Sequence, residues 1–469
     1  MIQAIEVVYE ATAVGLTLAV EKCRFAPNTR FIYLGILINT DLQRFYLSQP
    51  RARRLAQQTR QLVRATRGHK RVPAKLVAQY IGLLWAASPC CPRGVAVMAR
   101  GLIATLTDEM RATVFNTKHG SRRSGATWPP LRTVLSRFWH GDVDWSWDAE
   151  TDLAFWVRVN FGKLSAPISS DTTGALLKAT YLDCGTVKHN GVSFLASDAS
   201  AFACGGGQLK LSRSGFVFGS TGNFVSDLPP ALKKESSGLR EIVSILWMLE
   251  ALQPHLARKV IVFTDSQAAA TAIKRGSRNR KMQQVVRAIF LWAMERGATV
   301  FPCWTPRTFE ALVKADELSR VRDEFDVRTP PTVYRAANNM AVRLWGRGLS
   351  FDRQASHLNA MPPPGLGDQL PYNSLWHQPG CHGVDMFLQD AWSYAKHINF
   401  VHPAAPTVGR VLTFLPANKC RAVVVIPLES TYGRWWSTWT RIGGPGVVDR
   451  LVVDGFVVLG LDHSPRYRG

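Results

Sequence analysis

The chain has 469 residues, of which 46% are hydrophobic and 10% aromatic, and its formal net charge is +23. This length is too great for one hydrophobic core and predicts two to four domains, while the composition excludes a disordered chain. The positive charge indicates a polyanionic partner, most simply a nucleic acid. No apolar run is long enough to span a bilayer, so no membrane partner is expected.

The first residues also bear on the compartment. They include Glu6 and Glu10 and lack a basic n-region, which is not the pattern of a signal peptide. The eight cysteines are scattered and form no CxxC pair, as expected for reduced thiols. We therefore expect an intracellular protein, cytoplasmic or nuclear and not secreted.

Residues 1–48 predict a short helix followed by strands in FIYLGILIN and LQRFYLSQP. This segment resembles the end of a reverse-transcriptase palm, in which a Gly-Leu and a Lys-Cys precede a strand that ends in Leu-Gly. The matching positions are Gly15, Lys22, Cys23, Leu34 and Gly35. The sequence contains no Asp-Asp pair, so the polymerase metal site of that family is missing. We do not expect this chain to polymerise.

Residues 49–118 predict helices with charge of one sign, since no acid occurs between Asp41 and Asp108. Four arginines share one helical face, and Leu55 and Leu62 lie opposite; the arginines are Arg53, Arg60, Arg64 and Arg67. Such a face suits a phosphate backbone, although an ordinary solvated face is the alternative. Following a palm-like segment, the region resembles the thumb and connection of reverse transcriptases.

Residues 119–190 are predicted to combine a linker with a tryptophan-rich helix. The run from Lys118 to Pro130 is rich in Gly, Ser and Arg, which is typical of a linker. The next segment, SRFWHGDVDWSWDAETDLAFWVRVNF, predicts one helix preceded by a turn. Its Asp142, Asp144 and Asp148 fit helix caps and surface better than metal ligands.

Residues 191–327 carry four spaced acids. A strand ends at Asp198 and is followed by Gly205 to Gly207 and by a hairpin around Arg213 to Gly215. Ser236 or Ser237 can cap the next helix, whose Glu241 can face the sheet. The apolar strand KVIVFT then ends at Asp265, at a sheet edge where ligands of α/β proteins bind, although Asp265 could simply cap the next helix. Asp316 is expected near the start of the last helix.

The order strand-Asp, hairpin, helix-Glu, strand-Asp, helix, helix, strand, helix-Asp resembles the ribonuclease H fold and its Asp-Glu-Asp-Asp site. SDAS with GGG resembles the first strand and a glycine-rich turn, and SSGLRE, TDSQ and ADELSR resemble the later motifs. The resemblance implies that Asp198 bridges two Mg²⁺ ions, that Glu241 and Asp265 hold one, and that Asp316 helps to hold the other, with Mn²⁺ as a substitute. Two such ions roughly 3.5–4 Å apart activate water and stabilise the leaving oxygen.

Two features qualify the resemblance. Many ribonucleases H have a mobile histidine before the last aspartate, whereas TPRTFEALVKAD has none and Arg307 occupies that neighbourhood. This predicts altered product release or proton transfer. A basic loop after the Asp265 helix is a candidate for substrate binding, with a merely solvated loop as the alternative; its cations are Lys274, Arg275, Arg278, Arg280 and Lys281.

The C-terminal third divides into a Pro/Gly-rich linker over 328–375 and a small α/β domain over 376–469, with RAVVVIP as a buried strand. His377, Cys381 and His382 lack the paired spacing of a zinc site. The run resembles the tail after ribonuclease H in DIRS-type tyrosine-recombinase retroelements, which is methyltransferase-like in some members. No Gly-rich cofactor loop or Asn/Asp-Pro-Pro motif is legible, and His402 to Pro406 is at most a remnant, so we infer no methyl transfer.

The sequence therefore predicts an α/β protein with a ribonuclease H-like central domain, after a palm tail and a helical connection and before a small α/β domain. The resemblance implies a retroelement fragment that cleaves the RNA strand of RNA/DNA hybrids, recognising the 2′-hydroxyl, with a separate polymerase segment of the element as a partner. Two alternatives remain. One is a transposase or integrase of the same fold, although those place the Glu on a late helix. The other is a non-catalytic, basic nucleic-acid-binding relic.

Overall fold

Two compact units make up the chain in the computed structural model: Met1–Leu176 with Lys274–Arg278, and Leu177–Ile273 with Asn279–Gly469. The structure describes residues 28–42, 44–68, 70–124, 131–167, 192–212, 215–252, 259–321, 328–361, 369–429, 436 and 446–464. The palm-like positions Gly15, Lys22 and Cys23 lie outside these residues. Among the described residues, no helix combines the length and apolar character that crossing a membrane requires.

The strands of the first unit form a four-stranded antiparallel sheet in the order β1-β2-β3-β6 and a two-stranded ribbon of β4 and β5. Leu34 and Gly35 form the turn between the first two strands, both with positive φ (46° and 79°), rather than ending one strand. The strands are β1 (Arg30–Tyr33), β2 (Ile36–Asn39), β3 (Arg44–Leu47), β4 (Arg71–Pro73), β5 (Asp142–Asp144) and β6 (Ser165–Pro167).

The helices of this unit include the predicted amphipathic one, α1. Leu55 and Leu62 are fully buried on it, whereas the four predicted arginines are exposed. The helices are α1 (Gln49–Thr66), α2 (Ala74–Ala86), α3 (Pro92–Met98), α4 (Arg100–Ser124), α5 (Leu131–His140) and α6 (Trp147–Arg158), with 3-10 turns at Ser88–Cys90 and Phe161–Lys163.

Two predictions in this unit are wrong. The first residues of the predicted linker, 118–124, continue α4, because Gly and Ser in a helix already formed each cost only up to about 1 kcal/mol. The tryptophan-rich segment is two helices rather than one, since β5 pairs with β4 between them. As expected, its aspartates lie on the surface or in the first turn of a helix, and Asp144 pairs with Arg71 at 3.3 Å, while Ser146 caps α6.

The second unit contains a five-stranded mixed sheet in the order β11-β10-β7-β8-β9. The first three strands along the chain are antiparallel neighbours, whereas β10 runs parallel to both β7 and β11. The elements are β7 (Val192–Ala199), β8 (Ala203–Ser212), β9 (Gly215–Asp227), α7 (Pro230–Lys233), α8 (Ser237–Ala251), β10 (Lys259–Thr264), α9 (Gln267–Arg275), α10 (Arg280–Glu295), β11 (Thr299–Trp304) and α11 (Glu310–Ser319).

The glycines of the GGG motif lie inside strand β8, and not in the turn that was predicted. Gly205 is opposite Asp198 in the register of β7 and β8. A Cβ on Gly205 would lie 2.1 Å from the backbone N of Ser319, and one on Gly206 would lie 2.3 Å from the carbonyl oxygen of Ala196. The absence of a side chain at Gly205 therefore lets the end of α11 lie directly against the sheet.

A seven-stranded sheet follows in the same unit, in the order β14-β13-β12-β15-β16-β18-β17. Neighbours from β14 through β16 are parallel, and β18 is antiparallel to both β16 and β17. Apolar side chains pack on both of its faces. The elements are α12 (Pro331–Trp345), β12 (Phe351–Asp352), β13 (Tyr372–Ser374), β14 (Cys381–Val384), α13 (Ala391–Lys396), β15 (Ile398–Val401), α14 (Val408–Ala417), β16 (Arg421–Pro427), β17 (Val447–Val453) and β18 (Phe456–Asp462), with 3-10 turns at Met386–Leu388 and Ala405–Thr407.

This sheet confirms RAVVVIP as a buried strand, β16, and corrects the linker predicted over 328–375. That segment contains α12 and two strands of the sheet. Pro331 does not interrupt α12, because it lies in the first turn of the helix, where proline is tolerated. Mixed sheets flanked by helices confirm the α/β class. The five-stranded sheet with α8 to α11 has the element order of a ribonuclease H-like domain.

Candidate metal centre

Asp198 is the penultimate residue of β7 and is 3% exposed. The Ser319 hydroxyl donates to its Oδ2 at 2.9 Å, and the Ser244 hydroxyl donates to its backbone oxygen at 3.0 Å. Ser319 ends α11 and holds the carboxylate itself, whereas Ser244 lies in α8 and holds the backbone carbonyl of Asp198. The orientation of Asp198 is thus set before any ligand binds.

Glu241 reaches the same place from α8. The Ser236 side chain caps this helix by accepting from the Leu239 backbone N, as predicted, and Glu241 follows in the second turn. The residue is 6% exposed, and its Oε2 is buried with no hydrogen-bond partner among the described residues. A buried carboxylate oxygen without a donor is energetically unfavourable unless something else binds it.

Asp265 directly follows β10, which ends at Thr264, and its side chain is 22% exposed. The alternative role as a helix cap belongs to Ser266, whose Oγ accepts from the Ala269 backbone N at 3.2 Å. The indole N–H of Trp304 donates to the Asp265 backbone oxygen at 3.0 Å. The carboxylate is therefore not required for starting α9.

These three carboxylates converge. One oxygen of each of Asp198, Glu241 and Asp265 lies within 4.8 Å of the others. Burial, and then the charges of Asp198 and Asp265, raise the pKa of Glu241 well above its ordinary value of 4.5. Burial also raises the pKa of Asp198, the Ser319 hydroxyl lowers it, and the charges of Asp265 and Asp316 raise it further. The acids repel one another, and oxygen ligands in this arrangement suit a hard divalent cation.

Asp316 lies beside this group but not within the 4.8 Å cluster. It is the seventh residue of α11 and not near its start, because the helix begins at Glu310 without a side-chain cap. Its Oδ1 accepts from Arg320 at 2.9 Å and from Arg307 at 3.1 Å. Arg307 connects it to the triad, since its guanidinium also lies 3.4 Å from Asp265 Oδ2 and 3.9 Å from Asp198 Oδ1.

Sequence reasoning did not identify three residues that shape this centre: Ser319, Ser244 and Gly205. A serine three residues after Asp316 carries no motif signal of its own. The GGG run was predicted as a turn, but glycine inside a strand often marks a close approach of another backbone and could have indicated this one.

The candidate nucleic-acid residues are exposed. Arg53, Arg60, Arg64 and Arg67 project from α1 and just after it. The predicted basic loop is partly helical, because Lys274 and Arg275 end α9 and Arg280 and Lys281 begin α10. Lys274, Arg275, Arg278 and Arg280 are exposed, and Lys281 forms an ion pair with Glu235. The zinc candidates do not converge among the described residues, and the Cys381 thiol donates to the Gly383 carbonyl at 3.1 Å.

Several solved structures are similar to parts of this chain. Ribonuclease H1 from Halobacterium salinarum NRC-1 is 15% identical with a TM-score of 0.22, over 27% of this chain and 94% of that one. The N-terminal ribonuclease H domain of a Mycobacterium tuberculosis protein is 11% identical with a TM-score of 0.23, over 28% and 94%. Prototype foamy virus protease-reverse transcriptase is 14% identical with a TM-score of 0.22, over 30% and 23%.

No protein-family model and no curated protein matches the chain.

Proposed function

We propose that the chain is a metal-dependent endonuclease that cleaves the RNA strand of RNA/DNA hybrids, as part of a DIRS-type retroelement polyprotein without polymerase activity. The observation that carries this proposal is the convergence of Asp198, Glu241 and Asp265 at one edge of a ribonuclease H-like sheet. The buried Glu241 Oε2 supports it, since a carboxylate oxygen without a partner calls for a cation.

The residues present fit divalent ions. Mg²⁺ prefers oxygen ligands and is commonly held by one or two carboxylates together with substrate phosphates, and Mn²⁺ accepts the same ligands. In this proposal Asp198 would contribute to holding both ions, Glu241 and Asp265 would hold one, and Asp316 would help to hold the other. When bound, two ions supply a water activated for attack and charge to stabilise the leaving 3′ oxygen.

The protein's own part is to orient and to bind. Ser319 and Ser244 fix Asp198, so the metal ligand at the centre needs no rearrangement. The exposed arginines of α1 and the cations of the basic loop supply contacts to phosphates, which position a nucleic acid without reading its sequence. Selectivity for RNA then requires contact with the 2′-hydroxyl.

Outside this domain, we propose that residues 1–48 are a palm tail, that 49–118 are a thumb-like connection, and that the C-terminal α/β domain, predicted over 376–469, is a degenerate methyltransferase-like remnant. The parallel strands of the seven-stranded sheet are compatible with the last of these. A separate polymerase segment of the element is the proposed protein partner.

The test is cleavage of a labelled RNA/DNA hybrid in Mg²⁺ by the full chain and by Asp265→Asn. Asp265 is partly exposed and does not cap its helix, so we expect the variant to fold and to lose cleavage. Asp454→Asn, in the exposed turn between β17 and β18, is the matched control and should cleave normally. Equal cutting by Asp265→Asn and the wild type, or preferred cutting of duplex DNA, would contradict the proposal; the second result would favour a transposase or integrase.

A further inference from the structure

Arg307 is the one cation, among the described residues, that forms ion pairs with three of the four acids. Its guanidinium lies 3.1 Å from Asp316 Oδ1, 3.4 Å from Asp265 Oδ2 and 3.9 Å from Asp198 Oδ1. Its charge also acts on Glu241. The Arg307 guanidinium therefore contacts the same carboxylates that a divalent ion held by Asp198 and Asp316 would bind.

The backbone around Arg307 is attached at both ends of its loop, whereas its side chain is largely exposed. The Thr305 backbone N donates to the Thr264 carbonyl at 3.1 Å, which attaches the loop to β10. The Phe309 ring packs 5.1 Å from the ring of Phe263 and anchors the other end. The Arg307 side chain itself is 64% exposed. At this exposure, a change of rotamer toward solvent is the movement that would withdraw the guanidinium from the acids.

From these contacts we propose that Arg307 is a built-in competitor of the divalent cation, which neutralises the acids without metal and turns outward to bind a phosphate of the nucleic acid when metal enters. The inference rests on the proposed function, because it assumes that the acids hold metal. A guanidinium and a divalent ion cannot both lie close to the same oxygens without strong repulsion. Once displaced, an arginine beside the centre is well suited to a phosphate.

The first test is titration of the full chain with Mg²⁺ alone by calorimetry, together with thermal unfolding at each Mg²⁺ concentration. Arg307→Gln should bind Mg²⁺ roughly three- to tenfold more tightly, as expected for loss of exposed ion pairs. Without Mg²⁺ its Tm should be lower than that of the wild type, and the difference should vanish at saturation.

Lys314→Gln is the matched control. Lys314 lies on α11 and is comparably exposed (52%), but it pairs with Glu317 and not with the four acids. Removing this charge should leave Mg²⁺ affinity within about twofold of the wild type. If Lys314→Gln tightened binding as much as Arg307→Gln, the effect would be general charge and the inference would fail.

The second test measures binding of an RNA/DNA hybrid against salt concentration, with Ca²⁺ in place of Mg²⁺ or with no divalent ion. With Ca²⁺, Arg307→Gln should weaken binding and reduce the magnitude of the salt slope by about one, as for one lost phosphate contact. Without divalent ions the salt slope of the variant should match that of the wild type, because Arg307 then contacts the acids and not a phosphate. An equal loss under both conditions would show that metal does not release Arg307.

The outcomes separate the two proposals. If the wild type bound no Mg²⁺ in calorimetry, both the proposed function and this inference would fail. If the wild type bound Mg²⁺ and Arg307→Gln bound it equally or more weakly, only the role of Arg307 would be overturned.

Discussion

The two sheets of the second unit each bury a charged side chain, but only one of these side chains has hydrogen-bond partners among the described residues for all of its buried polar atoms. The seven-stranded sheet buries Arg353 almost completely, at 1% exposure, and satisfies it: Nε donates to Asn399 Oδ1 at 2.6 Å and Nη2 to the Ser393 carbonyl at 2.7 Å. The five-stranded sheet buries Glu241 with an unpartnered oxygen among like charges. A buried charge with all its partners serves the fold, whereas one without them indicates a ligand.

Arg353 is also enclosed by aromatic rings. Its guanidinium carbon lies 3.9 Å from the ring centroid of Phe351 and 4.0 Å from that of Tyr394. Burial lowers the pKa of Arg353 to about 10, so it remains charged at neutral pH. The guanidinium thus gains cation–π contacts in addition to its hydrogen bonds.

The largest expected effect on stability comes from removing the buried, fully hydrogen-bonded guanidinium of Arg353. Arg353→Met leaves Asn399, Asn373 and Ser393 without their buried donor, and we expect it to lower the free energy of unfolding by about 3–5 kcal/mol. Urea denaturation of the full chain measures this. Arg347→Met, at an exposed position after α12, is the control and should change stability by less than about 0.5 kcal/mol. A variant as stable as the control would mean that the network is dispensable.

The unsatisfied charge should behave in the opposite way. Glu241→Gln removes a buried like charge, so we expect the protein in EDTA to become more stable by roughly 1–3 kcal/mol while losing cleavage. Glu295→Gln, an exposed carboxylate of α10, is the control and should affect neither quantity. Destabilisation by Glu241→Gln would imply that Glu241 is structural, like Arg353.

The pH dependence sharpens the same contrast. A carboxyl group whose pKa is raised by folding binds its proton more tightly in the folded state, so stability falls as pH rises above the ordinary value of 4.5 toward the folded pKa. In EDTA, the wild type should therefore lose stability relative to Glu241→Gln as pH rises, and stabilisation by Mg²⁺ should grow. Thermal unfolding across this pH range measures both, and parallel curves for the two proteins would contradict the assignment.

The smallest expected effect concerns charge on the surface rather than buried charge. Arg60→Glu with Arg64→Glu should weaken hybrid binding and reduce the salt slope by about two, as for two lost phosphate contacts. Arg335→Glu with Arg347→Glu makes the same change in net charge at exposed positions near the seven-stranded sheet. If the salt slopes of the two double variants were equal, α1 would not be part of the surface that binds nucleic acid.

Elements of the fold could be predicted from the sequence where the local residue pattern was long enough. The strand before Asp265, the Ser236 cap and the buried face of α1 each follow from patterns several residues long, and the structure contains all three. The linker predicted over 328–375 was wrong for two reasons. The proline-rich start concealed α12, although Pro331 lies in the first turn of that helix, and β12 and β13, with two and three residues, are too short to show a periodicity. Asp316 was predicted near the start of its helix but is the seventh residue of α11. The start was missed because α11 begins without a capping side chain.

The partners of the charges could not be predicted in the same way. Ser319 reaches Asp198 across 121 positions of the chain, and Arg353 meets Asn399 across 46. Neither contact leaves a local pattern, because each arises only when distant elements pack together. The acids themselves were predicted from the order of the motifs. The hydrogen bonds that satisfy Arg353, and their absence at Glu241 Oε2 within the described part of the chain, could be seen only in the folded structure.

The outer strand of the five-stranded sheet is not left open. Phe224 of β9 forms a parallel bridge with His377, whose backbone N donates to the Asn223 carbonyl, and His357 packs between Ser226 and Trp247. A fragment ending at residue 327 would expose this strand to pairing with other copies and invite aggregation. The C-terminal third would thus act as a cover for the outer strand of the five-stranded sheet.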